Sequence, residues 1–192
     1  MTLADEQRAH PQAQVELWAS DEHRLGLLPI VRVVWAPRGE RPQAIVRPRY
    51  QWLYVVAFVH PESGTTVFWL VPTVNAAIFT TLLLAFAEEQ GVGRRKRILL
   101  VIDQAGWHGA EEVEVPEGIT LLFLPPYSPE LQPAEHLWEL TDEPLANRCF
   151  GSLAELEEVL GRRCCGLTTQ PERIRSTTLF RWWPHEADAV TN

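Results

Sequence analysis

Three acidic side chains stand at positions where a metal site could form. Asp21 follows the alternating apolar segment 14–19, Asp103 follows the apolar run 98–102, and Glu135 follows the proline-rich stretch 124–129. Three converging carboxylates repel one another unless a cation lies between them, and oxygen-only ligand sets suit Mg²⁺ or Mn²⁺. Two such ions about 4 Å apart can activate a water and stabilise the leaving oxygen in phosphodiester cleavage. The pattern therefore predicts a metal site.

Each acid has a predicted place in the local structure. The alternation puts Asp21 on the apolar face of a strand and at the end of that strand. Asp103 also ends a strand, and ligands commonly bind in the crevice at the carboxyl ends of strands. Gln132 is a predicted helix cap with Pro133 at the first helical position. Glu135 would then lie in the first turn, where the helix dipole favours a carboxylate.

Each acid taken singly has a simpler explanation. An aspartate at the end of a strand is commonly a turn or cap residue, and a glutamate in a first helical turn is commonly a capping residue. The metal-site hypothesis therefore depends on the three acids occurring together.

Charge is distributed unevenly along the chain. The net charge of −8 speaks by itself against a nucleic-acid partner, yet residues 24–49 contain six arginines and a single acid. Residues 98–147 contain ten acids and no lysine or arginine. One interpretation is that both segments are ordinary charged surface exposed to water. The other is that the arginine-rich segment contacts phosphate and the acid-rich segment binds a cation. Charge alone leaves both open.

The order of predicted elements indicates an α/β protein with a mixed sheet. Strand patterns and turn signals dominate the first half, followed by a helix, two apolar strands and two further helices. One crossover helix would join the antiparallel and parallel parts of the sheet. The predicted strands are 14–19, 30–35, 43–46, 51–59, 65–71, 97–102 and 119–124; the predicted helices are 75–89 and segments starting near 133 and 152.

Composition favours one folded domain in a reducing compartment. The chain has 192 residues, 46% of them hydrophobic, with eight tryptophans. Its apolar runs fall short of the roughly 20 residues needed to span a bilayer, and the first residues show no signal-peptide pattern. The cysteine count of three is odd and lacks metal-site spacing. A cytoplasmic protein without a membrane partner is expected.

Three motifs resemble those of a known family. They are IDQAGWH (102–108), LPPYSPELQPAEHLW (124–138), and SDEHRLGLLP (20–29) followed by RVVWAPRGERP (32–42). These segments are similar to the DDE transposases of the mariner-like superfamily, and most similar to its bacterial insertion-sequence branch. The resemblance extends over residues 15–184. It implies a ribonuclease H-like (retroviral-integrase-like) fold, in which helices flank a mixed five-stranded sheet, and a catalytic triad of Asp21, Asp103 and Glu135.

The resemblance also implies an activity and its partners. The triad would bind two Mg²⁺ ions, with Mn²⁺ able to substitute, and would catalyse DNA strand cleavage and strand transfer during transposition. The DNA would comprise transposon ends and target. Residues that could contact it are Arg32, Arg38, Arg41, Arg47, Arg49, Trp107 and His108.

Domain organisation follows from the same resemblance. Residues 1–13 are expected to be disordered or a linker, 14–184 to form the catalytic domain, and 185–192 to be a flexible tail. Family members carry a helix-turn-helix region before the catalytic domain, so self-association or a partner chain carrying that region is expected.

An alternative function is an inactive transposase remnant or a regulatory subunit that pairs with another transposase chain. The intact triad argues against it. The acidic balance and Pro144, which should end or kink the helix after Glu135, argue for it.

Overall fold

The protein folds around one mixed sheet. The computed structural model describes residues 2–33, 35–40 and 49–184. Five strands lie in the order β3-β2-β1-β4-β5, with β1, β2 and β3 antiparallel and β1, β4 and β5 parallel. The strands are β1 (Gln14–Gly26), β2 (Trp52–His60), β3 (Thr65–Val71), β4 (Lys96–Ile102) and β5 (Ile119–Phe123). The helices are α1 (Leu3–Ala9), α2 (Ala76–Gln90), α3 (Leu137–Asp142), α4 (Leu153–Thr168) and α5 (Pro171–Thr178).

Helix α2 makes the predicted crossover from the antiparallel to the parallel part of the sheet. Its first turn is capped by Asn75, whose side chain accepts a 2.9 Å hydrogen bond from the amide of Ile78. It ends at Gly91, whose φ of 64° lies in the left-handed region that glycine adopts without steric cost. The predicted helix, 75–89, thus differs from α2 by one residue at each end.

The sheet separates two hydrophobic cores because neighbouring strand residues point to opposite faces. Leu17 and Ala19 of β1 belong to the core beneath α3, α4 and α5, whereas Trp18 between them belongs to the core beneath α2. Strand β4 divides in the same way, with Leu99 on one face and Leu100 on the other. Burial on both faces explains its continuous apolar sequence.

Strand β1 is longer than predicted. Instead of ending at residue 19, it runs to Gly26, because β2 continues to pair with it as far as Gly26 and Trp52. The predicted strand over 30–35 is not formed in its described residues: Val31 and Val33 are exposed and pair with no neighbouring strand. The predicted strand 43–46 lies outside the described residues.

The first residues differ from the expected disorder or linker. Helix α1 is closed by a capping box between Thr2 and Asp5, and it buries Leu3. Its buried Glu6 forms an ion pair with Arg97 at the start of β4. The ion pair between Glu6 and Arg97 and the buried Leu3 side chain thus hold this helix against the sheet. The expected tail, 185–192, lies outside the described residues.

Within the described part of the chain, no helix combines the length and apolar character needed to cross a membrane.

Candidate active site

The three predicted acids line one cavity, although they come from distant parts of the chain. Asp21, Asp103 and Glu135 all border an open cavity of about 660 Å³ at the carboxyl end of β4. The parallel pairing of β1 with β4 ends at Ala19 and Val101. Beyond that point β1 continues without β4 as its partner, and Asp21 and Asp103, each two residues after the last pair, both line the cavity.

Asp21 lies within β1 rather than at its end, opposite Ala57 of β2. Trp138 donates a 2.8 Å hydrogen bond from Nε1 to Asp21 Oδ2. Burial raises the pKa of Asp21 to about 7, and the neighbouring charges of Glu22 and Asp103 act in the same direction. The hydrogen bond from Trp138 opposes this rise. A cation bound in the cavity would favour the ionised form of Asp21.

Glu135 lies on a short 3₁₀ turn, Pro133–His136, that leads directly into α3. Gln132 caps this turn, as predicted, by accepting from the amide of Ala134. Its Nε2 also donates a 2.9 Å hydrogen bond to the carbonyl of Ser20, the residue before Asp21. One buried amide side chain thus ties the Glu135 turn to β1. Helix α3 ends at Asp142, just before Pro144, as the sequence predicted.

The proline-rich segment forms a wall of the same cavity. Pro125, Pro126 and Pro129 line it, between the end of β5 and the Glu135 turn. Proline fixes φ, so few backbone torsions can vary in this connection. Tyr127 has a φ of 58°, a left-handed conformation uncommon for a residue with a side chain. The connection is therefore stiff, and it directs Glu135 back across the sheet.

Asp103 is held by a buried histidine. His108 Nδ1 lies 2.8 Å from Asp103 Oδ1, and Nε2 lies 2.7 Å from Glu22 Oε1. The His108 side chain is 1% exposed, whereas that of Asp103 is 52% exposed. Trp107 donates a further 3.0 Å hydrogen bond from Nε1 to the same oxygen of Glu22. Asp103 thus has one oxygen fixed from behind while its carboxylate faces the cavity.

The charge on this histidine follows from its partners. Burial disfavours the imidazolium, but hydrogen bonds to Asp103 and Glu22 outweigh burial and raise the pKa of His108 to about 9. The hydrogen bond from His108 in turn holds the pKa of Asp103 below its ordinary value. At neutral pH, His108 is an imidazolium between two carboxylates.

Glu22, Asp103 and His108 also bring potential metal ligand atoms within 4.8 Å of one another. The two ring nitrogens of His108 face different carboxylates. They point away from each other on the ring, so they cannot both bind one ion. The group is better described as a support for Asp103 than as a metal site.

The residues predicted to contact DNA differ in how exposed they are, and two of them lie outside the described residues. His108 is buried with both ring nitrogens hydrogen-bonded, and Trp107 is partly buried with its indole nitrogen bonded to Glu22. Arg32, Arg38 and Arg49 are exposed. The remaining two predicted arginines, Arg41 and Arg47, lie outside the described residues.

Two side chains have roles that the sequence did not reveal. Glu22 lies on the face of β1 opposite Asp21, yet His108 connects it to Asp103. Trp138 is buried in the core, and its indole nitrogen also donates a hydrogen bond to Asp21. Signals for both were present, since Glu22 adjoins Asp21 and Trp138 lies three residues after Glu135.

Comparison with known proteins decides the family. Residues 16–157 match the family model described as DDE superfamily endonuclease. The chain belongs to the DDE superfamily endonucleases. This DDE endonuclease is also 33% identical over 135 residues to the protein y4pE/y4sA of Sinorhizobium fredii, an alignment that covers 68% of this chain and 96% of that protein. The family expected from the motifs is confirmed.

Solved structures confirm the fold. The Mos1 mariner paired-end complex with Mn aligns with a TM-score of 0.59 at 19% identity, covering 92% of this DDE endonuclease and 58% of that chain. The Mos1 strand transfer complex aligns with a TM-score of 0.55 at 19% identity, covering 92% and 57%. The predicted mixed five-stranded, ribonuclease H-like sheet is therefore correct. The chain spans little more than half the length of these solved relatives.

Proposed function

We propose that this chain is the catalytic domain of a DNA transposase, which cleaves DNA with a divalent metal and joins the cut strand to target DNA. The observation that carries the proposal is the meeting of Asp21, Asp103 and Glu135 in one open cavity. Strand β1, strand β4 and the turn before α3 each supply one acid. In a member of the DDE endonuclease family, this arrangement supports phosphodiester chemistry.

The residues present fit a divalent cation. All three triad side chains are carboxylates, the ligand type that Mg²⁺ and Mn²⁺ prefer. Burial beside other acids raises the pKa of Asp21, and a bound cation would stabilise the ionised form of this side chain. Asp21 and Asp103 would hold the metal, and Glu135 would complete a second ion site. When bound, the ions would supply an activated water and stabilise the leaving oxygen.

The surrounding side chains position the triad. Trp138 fixes one oxygen of Asp21, and His108 fixes one oxygen of Asp103. Gln132 holds the Glu135 turn against β1. Buried hydrogen bonds of this kind orient ligands before substrate arrives, which reduces the reorganisation needed during reaction.

DNA is the proposed substrate. Solved Mos1 structures are described as paired-end complexes with Mn, with Mg and with a left transposon end. These relatives support divalent metal use, binding to transposon ends and target DNA, and self-association of this chain. A partner carrying a helix-turn-helix region is part of the same proposal. The proposed phosphate contacts are Arg32, Arg38, Arg41, Arg47 and Arg49.

The test is nicking of supercoiled plasmid by the purified protein in Mn²⁺ or Mg²⁺. Asp103→Asn and Glu135→Gln should each lower the nicking rate by at least roughly 100-fold, because each removes a proposed metal ligand. Glu139→Gln is the matched control, since Glu139 is an exposed acid one helical turn beyond Glu135. Calorimetric titration with Mn²⁺ should show saturable binding that Asp103→Ala abolishes.

Two results would overturn the proposal. One is plasmid nicking that survives both triad substitutions, which would indicate a different site or a contaminant. The other is a folded wild-type protein that neither binds Mn²⁺ in the presence of DNA nor nicks it.

A further inference from the structure

A second cavity adjoins the active site along β1 and β2. Its volume is about 500 Å³, and His23 lines both cavities. Besides His23, the side chains that give it chemical character are Arg24, Arg49, Tyr50, Trp52 and Asp142. The triad lies outside it.

An exposed platform of aromatic and cationic groups borders this cavity. The Arg24 guanidinium lies 5.2 Å from the centroid of the Trp52 ring. Tyr50 is 78% exposed and Trp52 is 45% exposed, although large aromatic side chains are normally buried. Aromatic faces beside arginine are the arrangement on which unpaired nucleic-acid bases stack, whatever their sequence.

The charge of the cavity suits a phosphate backbone. Among the described residues that line it, Arg24 and Arg49 stand beside one acid, Asp142, whose Oδ1 lies 3.0 Å from His23 Nε2. Arg49 is held in place by one N–H that donates to the carbonyl of Gly151 at 2.7 Å. A guanidinium has five N–H donors, so further ones remain for an anion. In a chain of net charge −8, this is a local basic site.

The cavity is connected to the triad through packed rings. His23 stacks on Trp138 with ring centroids 5.1 Å apart and planes 17° from parallel. Trp138 in turn binds Asp21. Arg24 lies about 10 Å beyond Asp21 along β1 and on the opposite face of the strand, whereas His23 shares the face of Asp21. Because His23 lines both cavities, a DNA strand whose backbone reaches the triad would bring its neighbouring nucleotides past His23 to the second cavity.

We propose that this second cavity binds an unpaired nucleotide of the DNA strand that enters the active site, with the base on Tyr50 and Trp52 and the phosphate on Arg24 and Arg49. The inference rests on the proposed DNA substrate. It assigns the site to single-stranded rather than duplex DNA, because bases within a duplex have no free face for stacking.

The test is fluorescence anisotropy of a short fluorescein-labelled oligothymidine, with EDTA present so that metal does not contribute. The double variant Arg24→Ala/Tyr50→Ala should raise the dissociation constant roughly fivefold or more, since it removes a stacking face and a charge. Tyr50→Phe, which keeps the ring, should bind as wild type. Arg162→Ala is the control, because Arg162 is 70% exposed on α4 and pairs with Glu158.

A smaller change in the double variant, or equal loss in Arg162→Ala, overturns the inference. Thermal unfolding checks that the double variant is folded, as expected from two exposed positions. Asp103→Asn separates the two hypotheses, because it should abolish cleavage without weakening oligothymidine binding. A wild-type protein that binds through the cavity but cuts no DNA would overturn only the proposed function.

Discussion

The indole of Trp138 donates a 2.8 Å hydrogen bond to Asp21, joining α3 to the interior of β1. Trp138 follows Glu135 by three residues, so the same turn of chain carries Glu135 and orients Asp21. This bond favours the ionised form of Asp21 and opposes the burial that raises its pKa to about 7. The protonation state of the site therefore depends on a residue that binds no metal itself.

Replacing Trp138 by phenylalanine should weaken metal binding. The pKa of Asp21 would rise further, so protons would compete better with Mn²⁺, and the apparent dissociation constant near neutral pH should rise roughly tenfold. The loss should shrink as pH increases above the new pKa. Calorimetric Mn²⁺ titrations across this pH range measure the effect. Trp182→Phe, at an exposed position, should change nothing; equal losses in both variants would contradict the assignment.

Asp21→Asn should stabilise the metal-free protein. The folded-state pKa of about 7 lies above the ordinary value of 3.8, so the native state binds more protons than the unfolded state between these values. Wild-type stability therefore falls as pH rises through this window. The gain from Asn should grow over the same window and level off above it, at a size on the order of 4 kcal/mol.

Urea unfolding in EDTA at several pH values tests this prediction. Glu157→Gln, an exposed acid on α4, serves as the control for removing one negative charge. A gain for Asp21→Asn that does not depend on pH would show that burial of its charge is not the cause.

His108→Ala should destabilise the domain and impair catalysis. The buried Glu22 would lose its cationic partner, at a cost of about 3 kcal/mol near neutral pH. Because the raised pKa of His108 is about 9, its contribution is complete below the ordinary value of 6.5 and is lost as pH rises through 9. The difference in unfolding free energy between wild type and variant should therefore shrink in alkaline solution.

His108→Gln separates positioning from folding. Glutamine can replace a hydrogen bond but not the charge, so this variant should fold and lose less stability than the alanine variant. Since His108 is buried behind Asp103, kcat for cleavage should fall while KM for DNA stays nearly constant. A rise in KM with unchanged kcat would instead indicate that His108 contacts DNA.

Gln132→Ala should loosen the Glu135 turn. The substitution removes the 2.9 Å hydrogen bond to Ser20 and leaves a buried carbonyl without this donor, which costs about 1–3 kcal/mol. Cleavage should fall roughly tenfold, because small displacements of a catalytic group reduce rates strongly. Gln170→Ala removes a bond of similar length, 2.8 Å to Gly166 on α4, and should leave cleavage unchanged. Equal cleavage rates in both variants would contradict the role of Gln132.

Much of the fold could be predicted from the sequence because its signals are local. The crossover helix and the apolar runs of β4 and β5 depend on neighbouring residues alone, and each agrees with the structure. The prediction was wrong where pairing between strands, rather than local sequence, determines whether a strand forms and where it ends. Strand β1 continues past residue 19 because β2 pairs with it there, and residues 31–33 form no strand because no strand of the described residues pairs with them.

The acids of the candidate site were readable from residue type, spacing and family motifs. The side chains that support them were not, because each bond joins residues far apart in the chain: Trp138 to Asp21, His108 to Glu22, and Gln132 to Ser20. The same holds for the second cavity, which forms only because β1 and β2 pair and bring Arg24 over Trp52. By itself, the sequence determined which groups could do the chemistry. Only the tertiary structure decided how they are oriented and charged, since burial and hydrogen bonding depend on packing across the whole sheet.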